Sequence, residues 1–139
     1  MYRAVLDTSV LVAALRSRSG ASNAILRKVA ANALTPLVSP ALFLEYEDVL
    51  KRTEQQRAHG LSLQEVDGFL AALASASEPV ECHFRWRPQL RDPGDEMVLE
   101  AAVNGNAEAL VTHNIRDFEP AKLFQLRVIT PGECLKELG

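Results

Sequence analysis

Four short apolar runs, each closed by a polar residue, constrain this chain more than any other feature. They lie at residues 3 to 6 ("RAVL"), 36 to 39 ("PLVS"), 109 to 112 ("ALVT") and 127 to 130 ("RVIT"), with 78 to 82 a weaker fifth. Runs this short, apolar rather than alternating, fit strands buried on both faces. Between them the spacing predicts helices over about 9–16, 22–33, 40–52, 62–76, 95–104 and 131–138, with Ser22, Ser62 and Asp92 as N-caps. Strands alternating with helices predict an α/β fold with a parallel sheet of four or five strands, covered on both faces. In such sheets ligands bind beyond the carboxyl ends of the strands, where the strand order reverses. Residues just past a strand therefore carry the most functional information.

Length and composition narrow the class. The 139 residues suffice for one domain, 1–139, with its own core. A content of 47% hydrophobic and 24% charged residues excludes a disordered chain. No apolar stretch approaches the roughly 18 residues of a membrane span, and the N-terminus lacks a secretory layout, so a cytoplasmic protein is expected. Cys82 and Cys134 show no metal spacing with His59, His83 or His113, which argues against a zinc site and a disulfide framework. With 15 Lys and Arg against 18 Asp and Glu, the net charge of −3 offers a polyanion no overall attraction. Local basic groups exist at Arg16 and Arg18, at Lys51, Arg52 and Arg57, and at Arg85, Arg87 and Arg91 around Trp86. Each suits a solvated face more readily than a ligand contact. The stretch 83 to 94, which holds the last group, reads as a loop leading into a helix.

The acids give sharper signals. Asp7 closes the first strand and precedes Thr8 and Ser9, a place that suits an N-cap and a site residue equally. In "PALFLEYEDVLKR", at about 100° per residue, Leu42, Tyr46, Val49 and Leu50 form a buried stripe. Glu45 lies at the edge of that stripe, set either to face the sheet or to snorkel to water, while Glu47 and Asp48 point to solvent. In "RDPGDEMVLEAAVNG", Asp92 and Pro93 read as the N-cap and first position of a helix. Asp95 then falls in the first turn, where the helix dipole favours it, but on the face of Val98, Leu99 and Ala102. Glu96 and Glu100 are predicted to share the outer face. The dipole explains where Asp95 sits along the helix and not why it points inward. In "ALVTHNIRDFEP", Thr112 and Asn114 follow a strand and Asp117 comes three residues later, a pattern that a turn and a cap also use. Acids converging at one sheet edge raise one another's pKa unless a cation neutralises them. An all-oxygen donor set selects Mg²⁺ or Mn²⁺ over zinc. Such an ion attracts phosphate and assists phosphodiester hydrolysis, which gives a net-negative protein a route to a polyanion.

Taken in order, "VLDTSVLVAAL" with Asp7, "LFLEYEDVL" with Glu45, "RDPGDEMVLEAA" with Asp95 and "LVTHNIRDF" with Asp117 resemble the acidic quartet of PIN-domain ribonucleases. The likeness spans nearly the whole chain, through "TPGECL" after the last strand. The chain looks most like bacterial PIN proteins that are toxin components of toxin–antitoxin pairs, related to VapC toxins. The resemblance implies a three-layer α/β/α sandwich, Mg²⁺- or Mn²⁺-dependent endoribonuclease action on single-stranded RNA, an antitoxin partner and often a homodimer. It implies that Asp7, Glu45 and Asp95 ligate the metal directly or through water, that Asp117 completes the site, and that Ser9, Thr112 and Asn114 orient ligands or substrate. His113 departs from the pattern, standing in a turn where the family often has a smaller or polar residue; it reads as an exposed loop residue or an RNA contact. Asp92 stands near the third acid too, but helix face and motif both favour Asp95. Two other classes fit the sequence less well. A PIN fold that holds RNA or a protein without cutting has no need for all four acids. A phosphotransfer protein is disfavoured because Ser9 stands where a haloacid-type nucleophile wants a second acid, and "VITPGE" lacks a receiver's lysine.

Overall fold

Strands form where the apolar runs predict them, with shifted ends. This computed structural model describes residues 2–83, 90 and 92–139. In it β1 (Tyr2–Leu6), β2 (Leu34–Val38), β3 (Glu78–Pro79), β4 (Ala109–Val111) and β5 (Val128–Ile129) make one parallel sheet in the order β3-β2-β1-β4-β5. Consecutive residues Ala4, Val5 and Leu6 of β1 and Ala109, Leu110 and Val111 of β4 are all buried. Strands without an exposed face need cover on both sides, and the helices supply it as the outer layers of an α/β/α sandwich. Leu6 pairs with Val111, and the Asp7 N–H donates to the Val111 carbonyl at 2.9 Å, so the loops leaving β1 and β4 start side by side. The edge strand β3 holds Pro79, whose missing N–H an edge tolerates, and the Val80 N–H beyond it still donates to the Val38 carbonyl at 3.0 Å.

The helices are α1 (Thr8–Arg16), α2 (Ala21–Ala30), α3 (Pro40–Leu50), α4 (Thr53–His59), α5 (Leu63–Ala76), α6 (Pro93–Asn104) and α7 (Pro131–Leu138), with a 3-10 segment over Ile115–Phe124. Several differ from the sequence expectation. Gly20, not Ser22, occupies the N-cap of α2, and that helix stops at Ala30 because Asn32 turns the chain at φ 61°. The predicted helix 40–52 divides at Arg52, whose backbone is extended, and α4 follows. Nothing in "TEQQRAH" is buried, so apolar periodicity cannot reveal α4. Polar contacts hold it instead: Gln56 Nε2 donates to the Lys51 carbonyl, and His59 Nε2 lies 3.1 Å from the Leu50 carbonyl.

Other local signals read as expected. Ser62 caps α5 in a full capping box with Glu65, and Asp92 caps α6 ahead of Pro93. Leu42, Tyr46 and Leu50 are the buried face of α3. The Tyr46 hydroxyl donates to the Leu6 carbonyl at 2.5 Å, which clamps α3 to the end of β1. Glu96 and Glu100 correct the helical wheel: they are only 4% and 6% exposed. Leu90 is buried and donates its N–H to Glu96 Oε1 at 2.8 Å. Arg85, Trp86, Arg87 and Arg91, with most of the expected loop 83–94, lie outside the described residues. Cys82 and Cys134 are not bridged. Among the described residues no helix is long and apolar enough to cross a membrane.

Candidate functional site

The chain runs from β1 outward through β2 to β3, then returns to the other side of β1 for β4 and β5. The strand order therefore reverses between β1 and β4, where a ligand crevice belongs. A cavity of about 440 Å³ opens there, and Asp7, Glu45, Asp92 and Asp95 all line it.

Asp7 stands at the N-cap position of α1, yet its side chain makes no cap hydrogen bond. Its Oδ2 instead accepts from Ser9 Oγ and Thr112 Oγ1, each at 2.6 Å. One hydroxyl comes from α1 and the other from the end of β4, so two elements fix one carboxylate that is 3% exposed. The hydroxyls are themselves held: His113 N–H donates to Ser9 Oγ at 3.2 Å and Asn114 N–H to Thr112 Oγ1 at 2.9 Å. Asp7 thus holds the N-cap position without a capping hydrogen bond, its carboxylate being held by the two hydroxyls.

Glu45 is aimed by α3, which Ser39 caps through the Leu42 N–H at 3.1 Å and Tyr46 clamps to β1. Its pKa lies above the usual carboxylate range, chiefly through burial, with Asp48, Asp92 and Asp7 adding to the rise and Arg52 opposing it. Asp95, in the first turn of α6, is pushed up to about 7 by burial first and then by the charges of Asp7, Asp92, Asp117 and Glu45. Carboxylates from well-separated stretches of the sequence thus feel one another as one electrostatic unit. Asp92 does two things, because its Oδ1 accepts from the Gly94 N–H at 2.8 Å while the residue also lines the cavity. Gly94 lets α6 approach α3 closely: a Cβ there would lie 2.7 Å from Glu45 Oε1.

Asp117 is placed differently. It lies exposed in the first turn of the 3-10 segment, outside the cavity lining, though its charge reaches Asp95. Asn114 and His113 are exposed and do line the cavity. His113 is more than a loop residue, since its Nε2 lies 2.6 Å from the Oγ of buried Ser22. Ser22, expected as a cap, anchors that ring instead. Arg16 and Arg52 also line the cavity, and the sequence reading left both among solvated clusters. For Arg16 a signal was present, since it follows Ser9 by seven residues, a spacing that keeps both on one face of α1; Arg52 lies past the end of α3, so its place carried no such signal.

Whether these residues suit a metal is a question of donor chemistry. Among the described residues no group of three or more His, Cys, Asp or Glu is gathered tightly enough to hold an ion unaided. The lining acids are nevertheless all oxygen donors, and Mg²⁺ commonly takes only one or two carboxylates, filling its other positions with water and substrate phosphate. The lining acids thus supply the donor type that such a hard cation takes.

The family model described as PIN domain matches residues 3–116. Comparison with curated proteins gives no match. Among solved structures, VapBC2 from Rickettsia felis, bound to a DNA fragment from their promoter, matches with a TM-score of 0.64 at 19% identity, covering 92% of this chain and 98% of that one. VapBC-1 from nontypeable Haemophilus influenzae matches with a TM-score of 0.61 at 13% identity, covering 94% of this chain and 98% of that one. At such identities the likeness is one of fold.

Proposed function

We propose that this chain, which belongs to the PIN-domain family, is a metal-dependent endoribonuclease that hydrolyses phosphodiester bonds of single-stranded RNA as the toxin of a toxin–antitoxin pair. One observation carries the reading. Asp7, Glu45 and Asp95, from the end of β1, from α3 and from α6, line a single cavity at the strand switch point. Gathering acids in this way disfavours their charged forms, so the cluster has a use only when a cation resolves the repulsion.

In this reading Asp7, Glu45 and Asp95 hold Mg²⁺ or Mn²⁺, directly or through water, and Asp117 completes the site from the rim. A bound cation supplies the positive charge that receives a phosphate and lowers the pKa of the attacking water. The chain's own residues supply the orientation. Ser9 and Thr112 keep the Asp7 carboxylate in one direction, and Asn114 offers a polar side chain at the cavity wall for the substrate. The toxin role draws support from the two VapBC structures of like fold. A cognate antitoxin, a homodimer and cytoplasmic action belong to the same reading.

The purified chain is expected to cleave single-stranded RNA in Mn²⁺ or Mg²⁺, to fall to background in excess EDTA, and to recover when Mn²⁺ is restored. Failure to cleave in either metal overturns the proposal. A second reading, a PIN fold that binds RNA or protein without cutting, is favoured by the lack of a tight ligand cluster among the described residues. It predicts a shifted RNA band on a native gel in Mn²⁺ with no new RNA ends.

A further inference from the structure

The acidic cavity has a basic wall. Arg16, in the last turn of α1, and Arg52, the N-cap residue of α4, both line it. Two matching lines of side chains lead to them. On α1 the lining runs Ser9, Ala13, Arg16, and from α3 it runs Glu45, Val49, Arg52. On α1 the steps of four and three residues put a hydroxyl, a small floor residue and a guanidinium along one helix face, and the second line follows α3 from Glu45 to Val49 and reaches Arg52 past the helix end, at the N-cap of α4. On α1 seven residues of helix cover about 10 Å, which sets Arg16 beside the acidic end rather than on it.

Each guanidinium is held by a partner away from the lining acids. Arg16 Nη2 donates to Gln55 Oε1 at 2.9 Å, and Arg52 Nη2 donates to Asp48 Oδ2 at 2.8 Å. Asp48 does not line the cavity. The Arg52–Asp48 pair is exposed, with the arginine side chain at 50%, and a pair of that kind holds its members weakly. Phosphate, which a planar guanidinium can grip with two parallel hydrogen bonds, competes well for such an arginine. The wall also gives α4 a purpose. That helix buries none of its residues, yet it starts at Arg52 and supplies the Gln55 that positions Arg16.

We propose that Arg16 and Arg52 form a phosphate-binding wall that grips the RNA backbone at a phosphate neighbouring the one cleaved. The inference rests on reading the cavity as a ribonuclease site. A chain of net charge −3 with acids at its reactive end repels a polyanion, and guanidiniums flanking those acids counter that repulsion along the path of the strand.

The test is steady-state cleavage of a mixed-sequence single-stranded RNA pool in Mn²⁺ across a series of KCl concentrations. The variants are Arg16→Gln, Arg52→Gln, their double, the charge-keeping Arg16→Lys and Arg52→Lys, and Arg27→Gln as a control on α2 outside the cavity lining. Arg16, Arg27 and Arg52 are exposed, so the fold should tolerate every change. Each glutamine is expected to raise KM roughly five- to tenfold with kcat within about twofold, and to flatten the slope of log(kcat/KM) against log[KCl] by about 0.7. The lysine variants and Arg27→Gln should keep the parent slope. Parent-like KM and slope in the double variant, with cleavage intact, overturn this inference alone. Absence of cleavage by the parent chain overturns the ribonuclease reading and this inference with it.

Discussion

Asp95→Asn is expected to lower RNA cleavage by at least about 10²-fold and, at the same time, to stabilise the metal-free protein at pH 8. Losing even an outer-shell partner of a metal costs roughly 10- to 100-fold in affinity or activity, and a carboxylate proposed to reach the ion should matter more. The stability gain has the opposite sign because the folded chain raises the Asp95 pKa from 3.8 to about 7. Between those values the folded state binds a proton that the unfolded state has released, so stability falls as pH rises through that window. Above pH 7 the penalty is fully present, and below about pH 4 it is gone. Asparagine removes it. After discounting a half-exposed group for solvent screening, the gain at pH 8 is about 1–2 kcal/mol, a few degrees in Tm, shrinking to nothing near pH 4. Paired melts of parent and variant in EDTA at the two pH values check this. Destabilisation at pH 8 would show that Asp95 carries no repulsive load.

Gly94→Ala is expected to separate activity from stability in another way, lowering kcat/KM by roughly 10- to 100-fold while leaving Tm nearly unchanged. The new Cβ would stand 2.7 Å from Glu45 Oε1, 3.1 Å from its Cδ and 3.3 Å from Asp92 Oδ1. Glu45 is a flexible side chain and can swing aside cheaply, and alanine in a helix is intrinsically better than glycine by up to about 1 kcal/mol. The fold therefore accommodates the methyl group. The site does not, because a displacement of about 1 Å in a reacting constellation can cost on the order of 10²-fold. Kinetics in Mn²⁺ alongside a thermal melt decide the matter, and full activity in Gly94→Ala would remove Glu45 from the proposed ligand set.

Much of this architecture could be read from local chemistry. Apolar runs without alternation announced strands covered on both faces, and Asp92–Pro93 and Ser62 announced helix starts that form as expected. The place of Glu45 at the edge of the Leu42, Tyr46, Leu50 stripe was legible because that face is set by burial, whereas the choice between sheet and solvent was not. What escaped depends on long-range contacts. Glu96 and Glu100 looked outward because a helical wheel cannot register contacts from outside the helix, such as the Leu90 N–H that donates to Glu96. Ser22 looked like a cap because its bond to His113 spans 91 positions of sequence. Helix α4 lacked any apolar stripe, and Arg16 and Arg52 resembled solvated charges until α4 placed Gln55 beside Arg16. For Asp117 the order in the sequence was plain, whereas its place outside the cavity lining depends on the 3-10 turn that follows β4.

A cation shared by Asp7, Glu45 and Asp95 is tested most directly by calorimetric titration of Mn²⁺ into the parent chain and into Asp7→Asn at neutral pH. Binding by the parent that weakens at least about tenfold in the variant, with both proteins folded, is the predicted result. A parent chain that takes up no Mn²⁺, or a variant that binds it equally well, would contradict the shared site.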